Sequence, residues 1–235
     1  MDLSNAKVLI TGGTSGIGFE TAKMLKSKGA EVVICGRNKA KVDKASNELN
    51  VKGFVADVSN ENKVKELVSF ANETMNGLNV LINNAGLGTF SKLVDTSLDD
   101  FQKNWEVNTK GLFLTGREAA KHFVGKEYGN IINIGSTAAN RGFAQGSAYV
   151  ASKFAVSGLT DCWRTELRPH NIRVMQINPS EVVTNFFDKM GIEQKDNEYK
   201  LKPSEIAHVA VSMLAMDDVG FIPSGEVWAT NPSRK

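Results

Sequence analysis

Lys7-Val8-Leu9-Ile10-Thr11-Gly12-Gly13-Thr14-Ser15-Gly16-Ile17-Gly18 carries a short apolar run straight into a glycine-rich turn. Residues 7–11 have strand character, and an amphipathic helix is expected over 16–28. Glycines permit a tight turn and a close approach of the backbone to a pyrophosphate. The helix behind them offers unpaired N–H groups and a partial positive charge at its N-terminus. Gly12, Thr14, Ser15, Gly16, Ile17 and Gly18 are therefore the expected phosphate cradle. The spacing is not G-x-G-x-x-G, and no Lys-Ser/Thr pair follows the last glycine, which sets a P-loop aside. A strand–helix turn without a ligand is the other reading of the glycines alone.

The same alternation repeats along the chain. Strands are expected at 31–36, 52–56, 80–83, 129–134 and 172–178, with a short final one at 226–229. Helices are expected at 38–50, 60–75, 98–126 and 148–167. Val64, Leu67, Val68 and Ala71 share one helical face. Ile206, Val209, Ala210, Met213 and Leu214 repeat that stripe behind Pro203, which suits a first helical turn. Continuous apolar strands, each followed by a helix, imply an α/β fold. The expectation is a single-domain, doubly wound (Rossmann-type) parallel sheet over residues 1–235, with helices on both faces. Ligands in such folds bind beyond the carboxyl ends of the strands. That rule directs attention to the loops after Thr11, Gly36, Ala56, Asn83, Ile134 and Asn178.

Composition narrows the function classes. The chain is 41% apolar and 23% charged with a net charge of +2 and no basic block, so no nucleic-acid partner is expected. Its apolar runs, such as 32–35, are far shorter than the ~20 residues of a membrane span. Residues 1–7 have no charged region leading into an apolar stretch, and the two cysteines, Cys35 and Cys162, cannot form a disulfide framework. A cytoplasmic location is the expectation. His122, His170 and His208 are scattered without cysteine or acidic partners at ligand spacing, so no metal site is expected.

The second strand ends at Cys35-Gly36-Arg37. Where an acid would bind a ribose 2′-hydroxyl, this chain has Gly36 followed by Arg37. A guanidinium suits a 2′-phosphate, with two parallel hydrogen bonds to the dianion. NADP(H) is thus favoured, with NAD(H) allowed; a solvated surface arginine is the alternative. Asp57, followed by Val58, is placed to meet the adenine, or else to serve as the turn residue ahead of a helix.

Tyr149 and Lys153 lie four apart on an expected helix, so they share a face. Ser136 lies just past the strand at 129–134 and should reach the same carboxyl edge. A free phenol titrates near ~10, too high for efficient acid/base work at neutral pH. A nearby ammonium, or the positive charge of an oxidised nicotinamide, is expected to lower it. Ser136 would hold a substrate oxygen and stabilise the charge that develops there.

With these residues the chain resembles the short-chain dehydrogenases/reductases, including 3-oxoacyl thioester reductase-like members. The resemblance rests on the glycine loop, Asn83-Asn84-Ala85-Gly86, Asn108, Ser136 and Tyr149-x-x-x-Lys153, and covers nearly the whole chain. It implies a catalytic set of Asn108, Ser136, Tyr149 and Lys153. It implies that Asn84, Ala85 and Gly86 line the cofactor site, that Asn83 and Asn84 join the central strands, and that Asn108 bends its helix and holds a water leading to Lys153. Pro179, Val182 and Thr184 would border the nicotinamide, and Lys153 its ribose. Ser180 replaces the usual glycine after Pro179, and the stretch 220–232 lacks the Gly-Gly ending of many members. Residues 185–202 would form a substrate lid, with Phe186, Phe187 and Met190 either in contact with substrate or in the core.

The resemblance also implies a homotetramer or homodimer built on the helices at 98–126 and 148–167. Phe154, Leu159 and Trp163 are candidate interface residues that could equally be core. The activity expected is hydride transfer between a nicotinamide and a carbonyl or secondary alcohol of a small molecule. A non-catalytic dinucleotide sensor or scaffold is the alternative. So is an epimerase or dehydratase of the longer relatives, which the short stretch after Thr184 disfavours.

Overall fold

Each apolar run becomes a strand of one parallel sheet. The computed structural model describes residues 1–184 and 199–232. The strands are β1 (Lys7–Thr11), β2 (Glu31–Gly36), β3 (Lys52–Val55), β4 (Val80–Asn83), β5 (Gly129–Ile134), β6 (Ile172–Pro179) and β7 (Ser224–Val227). Their order is β3-β2-β1-β4-β5-β6-β7, with every neighbouring pair parallel. The chain winds outward from β1 to β3, then restarts on the other side of β1 with β4. That reversal opens a crevice between the carboxyl ends of β1 and β4, where ligands bind in doubly wound sheets.

The helices are α1 (Gly16–Ser27), α2 (Lys39–Leu49), α3 (Glu61–Thr74), α4 (Leu98–Trp105), α5 (Leu112–Lys126), α6 (Ser147–Leu167) and α7 (Pro203–Ala215). Successive strand residues feed opposite cores, as the pleat requires. Val8, Ile10, Val80 and Ile82 pack with Leu25 of α1, Leu49 of α2 and Ile206 of α7. Leu9, Leu81 and Ile131 pack with Leu67 of α3, Phe123 of α5 and Trp163 of α6. Burying each such Leu, Ile or Phe contributes about 1.5–3 kcal/mol, so the two layers hold the sheet from both sides.

Several boundaries differ from the sequence expectation. β3 stops at Val55, and β7 begins at Ser224, two residues ahead of the expected 226–229. The long helix expected at 98–126 is interrupted by a π-helical turn, Glu106–Gly111, between α4 and α5. Asn38 and Asn60 act as N-caps, each side chain accepting from the N–H three residues on, so α2 and α3 start one residue later than their caps.

A buried polar chain ties the middle of the sheet to its helices. Thr115 Oγ1 donates to Asn83 Oδ1 at 2.6 Å, Asn83 Nδ2 donates to Asn133 Oδ1 at 3.0 Å, and Asn133 Nδ2 donates to Thr160 Oγ1 at 2.9 Å. Asn83 and Asn133 are direct partners in the β4–β5 register. Among the described residues no helix is long and apolar enough to cross a membrane.

Candidate active site

The glycine loop is shaped by what lies against it. Gly12 has a φ of +66°, and a Cβ there would stand 2.9 Å from the Cα of Ala85. A Cβ on Gly18 would stand 2.4 Å from Asn84 Nδ2 and 2.6 Å from the Gly12 carbonyl. Neither position has room for a side chain. Asn84 Nδ2 donates to the carbonyls of Thr11 and Gly12, each at 3.0 Å. Thr11 Oγ1 accepts the N–H groups of Asn84 and Ala85, each at 3.0 Å. The crevice walls are thereby stitched together. Ser15 precedes α1 in an extended conformation and makes no side-chain capping bond, so the helix's first N–H groups are not taken up by a cap. Thr184 returns to the same place: a Cβ on Gly16 would lie 3.3 Å from its methyl group.

Arg37 and Asp57 meet at the outer end of the crevice. Arg37 Nη1 lies 4.0 Å from Asp57 Oδ2, with the side chains 60% and 41% exposed. So exposed a pair is worth no more than about 1 kcal/mol, which leaves the guanidinium available. Asp57 Oδ1 accepts from Ser59 N at 2.9 Å and Ser59 Oγ at 2.7 Å, the turn role that was one of its two readings. Val58 is buried, its side chain turned to the core against Gly111.

Across the crevice, the four residues of the expected catalytic set come together. Tyr149 and Lys153 are buried one turn apart on α6, with Lys153 Nζ 5.8 Å from the Tyr149 ring centre. Ser136, just past β5, lies beside the Tyr149 phenol and favours its ionised form. Its Oγ accepts from Ala138 N at 3.1 Å, which leaves its O–H to be donated. Lys153 Nζ donates to the Ile134 carbonyl at 3.0 Å. Asn108 lies within the π turn. Its Nδ2 donates to the Leu87 carbonyl at 2.8 Å and to Ser152 Oγ at 2.9 Å, and its Oδ1 accepts from Leu87 N at 2.9 Å. The side chain clamps the loop after β4 to α6. Gly86 joins the two halves: a Cβ there would lie 3.3 Å from Asn108 Oδ1 and 3.9 Å from Lys153 Nζ.

The electrostatics correct one sequence expectation. Burial pushes the Tyr149 phenol up to about 12, opposed by Ser136 beside it. Burial also pushes the Lys153 ammonium down to about 8. Desolvation sets both directions because both groups sit in the protein interior, a cost that spacing along a helix does not reveal.

The segment after β6 resolves the question of Ser180. Its N–H donates to the Val227 carbonyl at 2.9 Å, extending the β6–β7 pairing by one rung. It is absent from the non-glycine residues with positive φ, so its backbone path does not demand glycine. Val182 is buried and bridged to Leu201, with Val183 N donating to the Leu201 carbonyl at 2.9 Å. Most of the expected lid, including Phe186, Phe187 and Met190, lies outside the described residues. Of the interface candidates, Leu159 and Trp163 pack into the core, while Phe154 is exposed.

Sequence reasoning missed several neighbours. Phe90 meets the Tyr149 ring edge-on at 5.4 Å between centres, and Phe143 meets Phe90 at 5.6 Å. Asn178 Oδ1 accepts the Ser136 N–H. A signal existed for the last: Gln176 and Asn178 are polar residues at a two-residue period inside an apolar strand.

A family model described as short chain dehydrogenase matches residues 6–195. An uncharacterised oxidoreductase of Staphylococcus aureus (strain USA300) is 33% identical over 215 residues, 90% of this chain and 92% of that protein. Among solved structures, the closed form of a serine dehydrogenase complexed with NADP+ superposes with a TM-score of 0.88 at 26% identity, covering 94% of this chain and 93% of that one. A 3-ketoacyl-(acyl-carrier-protein) reductase from Brucella melitensis complexed with NADH gives a TM-score of 0.88 at 28% identity, covering 96% of this chain and 97% of that one.

Proposed function

The chain belongs to the short-chain dehydrogenase family, and from that membership we propose an NADP(H)-preferring reductase or alcohol dehydrogenase of a small-molecule carbonyl or secondary alcohol. As an oxidoreductase of this family it takes a nicotinamide dinucleotide. The residues fit that group: Gly12 and Gly18 keep the cradle clear of side chains, and the start of α1 carries no side-chain cap. When bound, the dinucleotide supplies or accepts the hydride.

The observation that carries the reading is the buried Tyr149 phenol beside Ser136, with Lys153 one turn on, beside the loop that packs on the glycines. In this reading Tyr149 is the general acid/base and holds the proton at its phenol oxygen. Burial holds the phenol protonated at neutral pH, and the positive charge of an oxidised nicotinamide, when bound, would bring it back toward the working range. Ser136 donates its O–H to the same oxygen and stabilises developing charge. Lys153 meets the ribose hydroxyls, and Asn108 holds the water that leads protons to it. Thr14, Ser15, Ile17, Asn84, Ala85 and Gly86 line the dinucleotide, and Pro179, Val182 and Thr184 close its nicotinamide end. Arg37 takes the 2′-phosphate, which sets NADP(H) over NAD(H). The protein works in the cytoplasm as a homotetramer or homodimer, with exposed Phe154 on the paired helices.

Titration with NADPH and NADH, followed by cofactor fluorescence, tests the preference. NADPH is expected to bind the more tightly, and Arg37→Ala is expected to remove most of that advantage. A panel of carbonyls with wild type and Tyr149→Phe then tests the chemistry, with a loss of about 10²–10⁴-fold in kcat for the variant. Tighter NADH binding would overturn the role of Arg37. Failure to bind either dinucleotide would overturn the enzyme reading in favour of a scaffold.

A further inference from the structure

Ser136 stands where β5 leaves the sheet, and its backbone is held from the neighbouring strand by a side chain. Gly135 N still donates to the Ile177 carbonyl at 2.8 Å, the last backbone rung between β5 and β6. The next donor, Ser136 N, goes instead to Asn178 Oδ1 at 3.2 Å. Asn178 is fully buried, and its Oδ1 also accepts from Gln176 Nε2 at 2.7 Å. Gln176 Nε2 donates in turn to Ser157 Oγ at 2.9 Å, on the helix that bears Tyr149 and Lys153. A Cβ at position 135 would lie 2.1 Å from Asn178 Oδ1, so the carboxamide occupies the space a side chain there would need.

We propose that Asn178 is a positioning residue for the site: its carboxamide oxygen, braced through Gln176 to α6, fixes the backbone of Ser136 and thereby aims the Ser136 hydroxyl at Tyr149. The inference rests on the reading above, that Ser136 and Tyr149 together handle the substrate oxygen. The backbone of Ser136 is extended, with a φ of −174°. With Ser136 N released, the corner's nearest bond to β6 is the Gly135 rung one residue back. Two donors, Ser136 N and Gln176 Nε2, would lose their shared acceptor. The hydroxyl would then no longer be presented to the phenol in a single geometry.

The test is a double-substitution cycle of Asn178→Ala with Ser136→Ala, measured on the best carbonyl of the panel. Asn178→Ala is expected to lower kcat about 10–100-fold, with the NADPH dissociation constant within about twofold of wild type. Because Asn178 acts through Ser136, the double variant is expected to be little worse than Ser136→Ala alone. The pH limb of kcat/KM that belongs to Tyr149 is expected to move to higher pH in Asn178→Ala, since Ser136 favours the phenolate. Lys153 is the charged neighbour on the same helix. Phe90, packed on the ring from the β4 loop, and Ser136, from the β5 corner, bring no charge. Gln176→Met, which keeps the Asn178–Ser136 bond but removes its brace, is expected to move kcat and the pH limb the same way by less. That variant carries the test if Asn178→Ala does not fold.

Losses that multiply in the double variant, or an unmoved pH limb, would overturn the inference while leaving the functional reading intact. A wild-type protein that binds NADPH but reduces no carbonyl would overturn the functional reading, and the inference with it.

Discussion

Lys153 Nζ donates to the carbonyl of Ile134, 3.0 Å away, so the buried ammonium is moored to the last residue of β5. The bond sets the lysine beneath Tyr149 and next to the corner that presents Ser136. It also fixes what the charge costs. The folded-state pKa of Lys153 is lowered from 10.5 to about 8, so between those values the unfolded chain binds more protons than the folded one. Stability therefore rises with pH across that window and is penalised below it. In urea unfolding, wild type is expected to gain on Lys153→Met from pH 8 toward pH 10, with a slope of up to about 1.4 kcal/mol per pH unit. A pH-independent difference would mean that the ammonium is better solvated than its burial indicates.

Gly18→Ala is expected to damage binding and stability together. The new methyl group would meet Asn84 Nδ2 at 2.4 Å and the Gly12 carbonyl at 2.6 Å, both parts of the stitched crevice wall. Overpacking of this kind costs about 1–3 kcal/mol. Urea unfolding and NADPH titration of the variant should show the loss of stability and a weakened affinity. Wild-type affinity in the variant would show that the loop can shift without disturbing its ligand.

Ser180→Gly tests the departure from the family's usual residue. Ser180 does not have positive φ, and its N–H pairs with Val227, so glycine brings only extra freedom to the unfolded chain. The expected result is a loss of about 0.5–1 kcal/mol with the NADPH affinity unchanged. A gain in stability would show that the serine strains the turn.

The fold was legible because burial on both faces leaves uninterrupted apolar strands, and those runs announce a parallel sheet. Gly12, Ser136, Tyr149 and Lys153 were legible because each falls at a strand end or on one helical face. The π turn at Asn108 was not, since its extra residue leaves the composition of the segment unchanged. Nor was the elevated pKa of Tyr149, which depends on how deeply packing buries the ring. Asn178 is read only as the end of its strand, whereas its side chain serves the neighbouring one. The two-residue period of Gln176 and Asn178 marks a polar face of the strand, but not the residue, Ser136, that Asn178 meets across the sheet.

The π turn at Glu106–Gly111 also constrains how this sequence can change in length. A turn of that kind is an α-helix with one residue too many, and α4 and α5 keep their outlooks on the molecule only because the surplus is there. A single deletion within it would restore an unbroken α-helix that satisfies all its own hydrogen bonds. The two ends of that helix would be rotated against each other by about 100°, so that either Leu112 and Phe123 or Asn104 would be turned out of place. This chain can therefore lengthen or shorten its loops with little effect, but at this point it must keep the count.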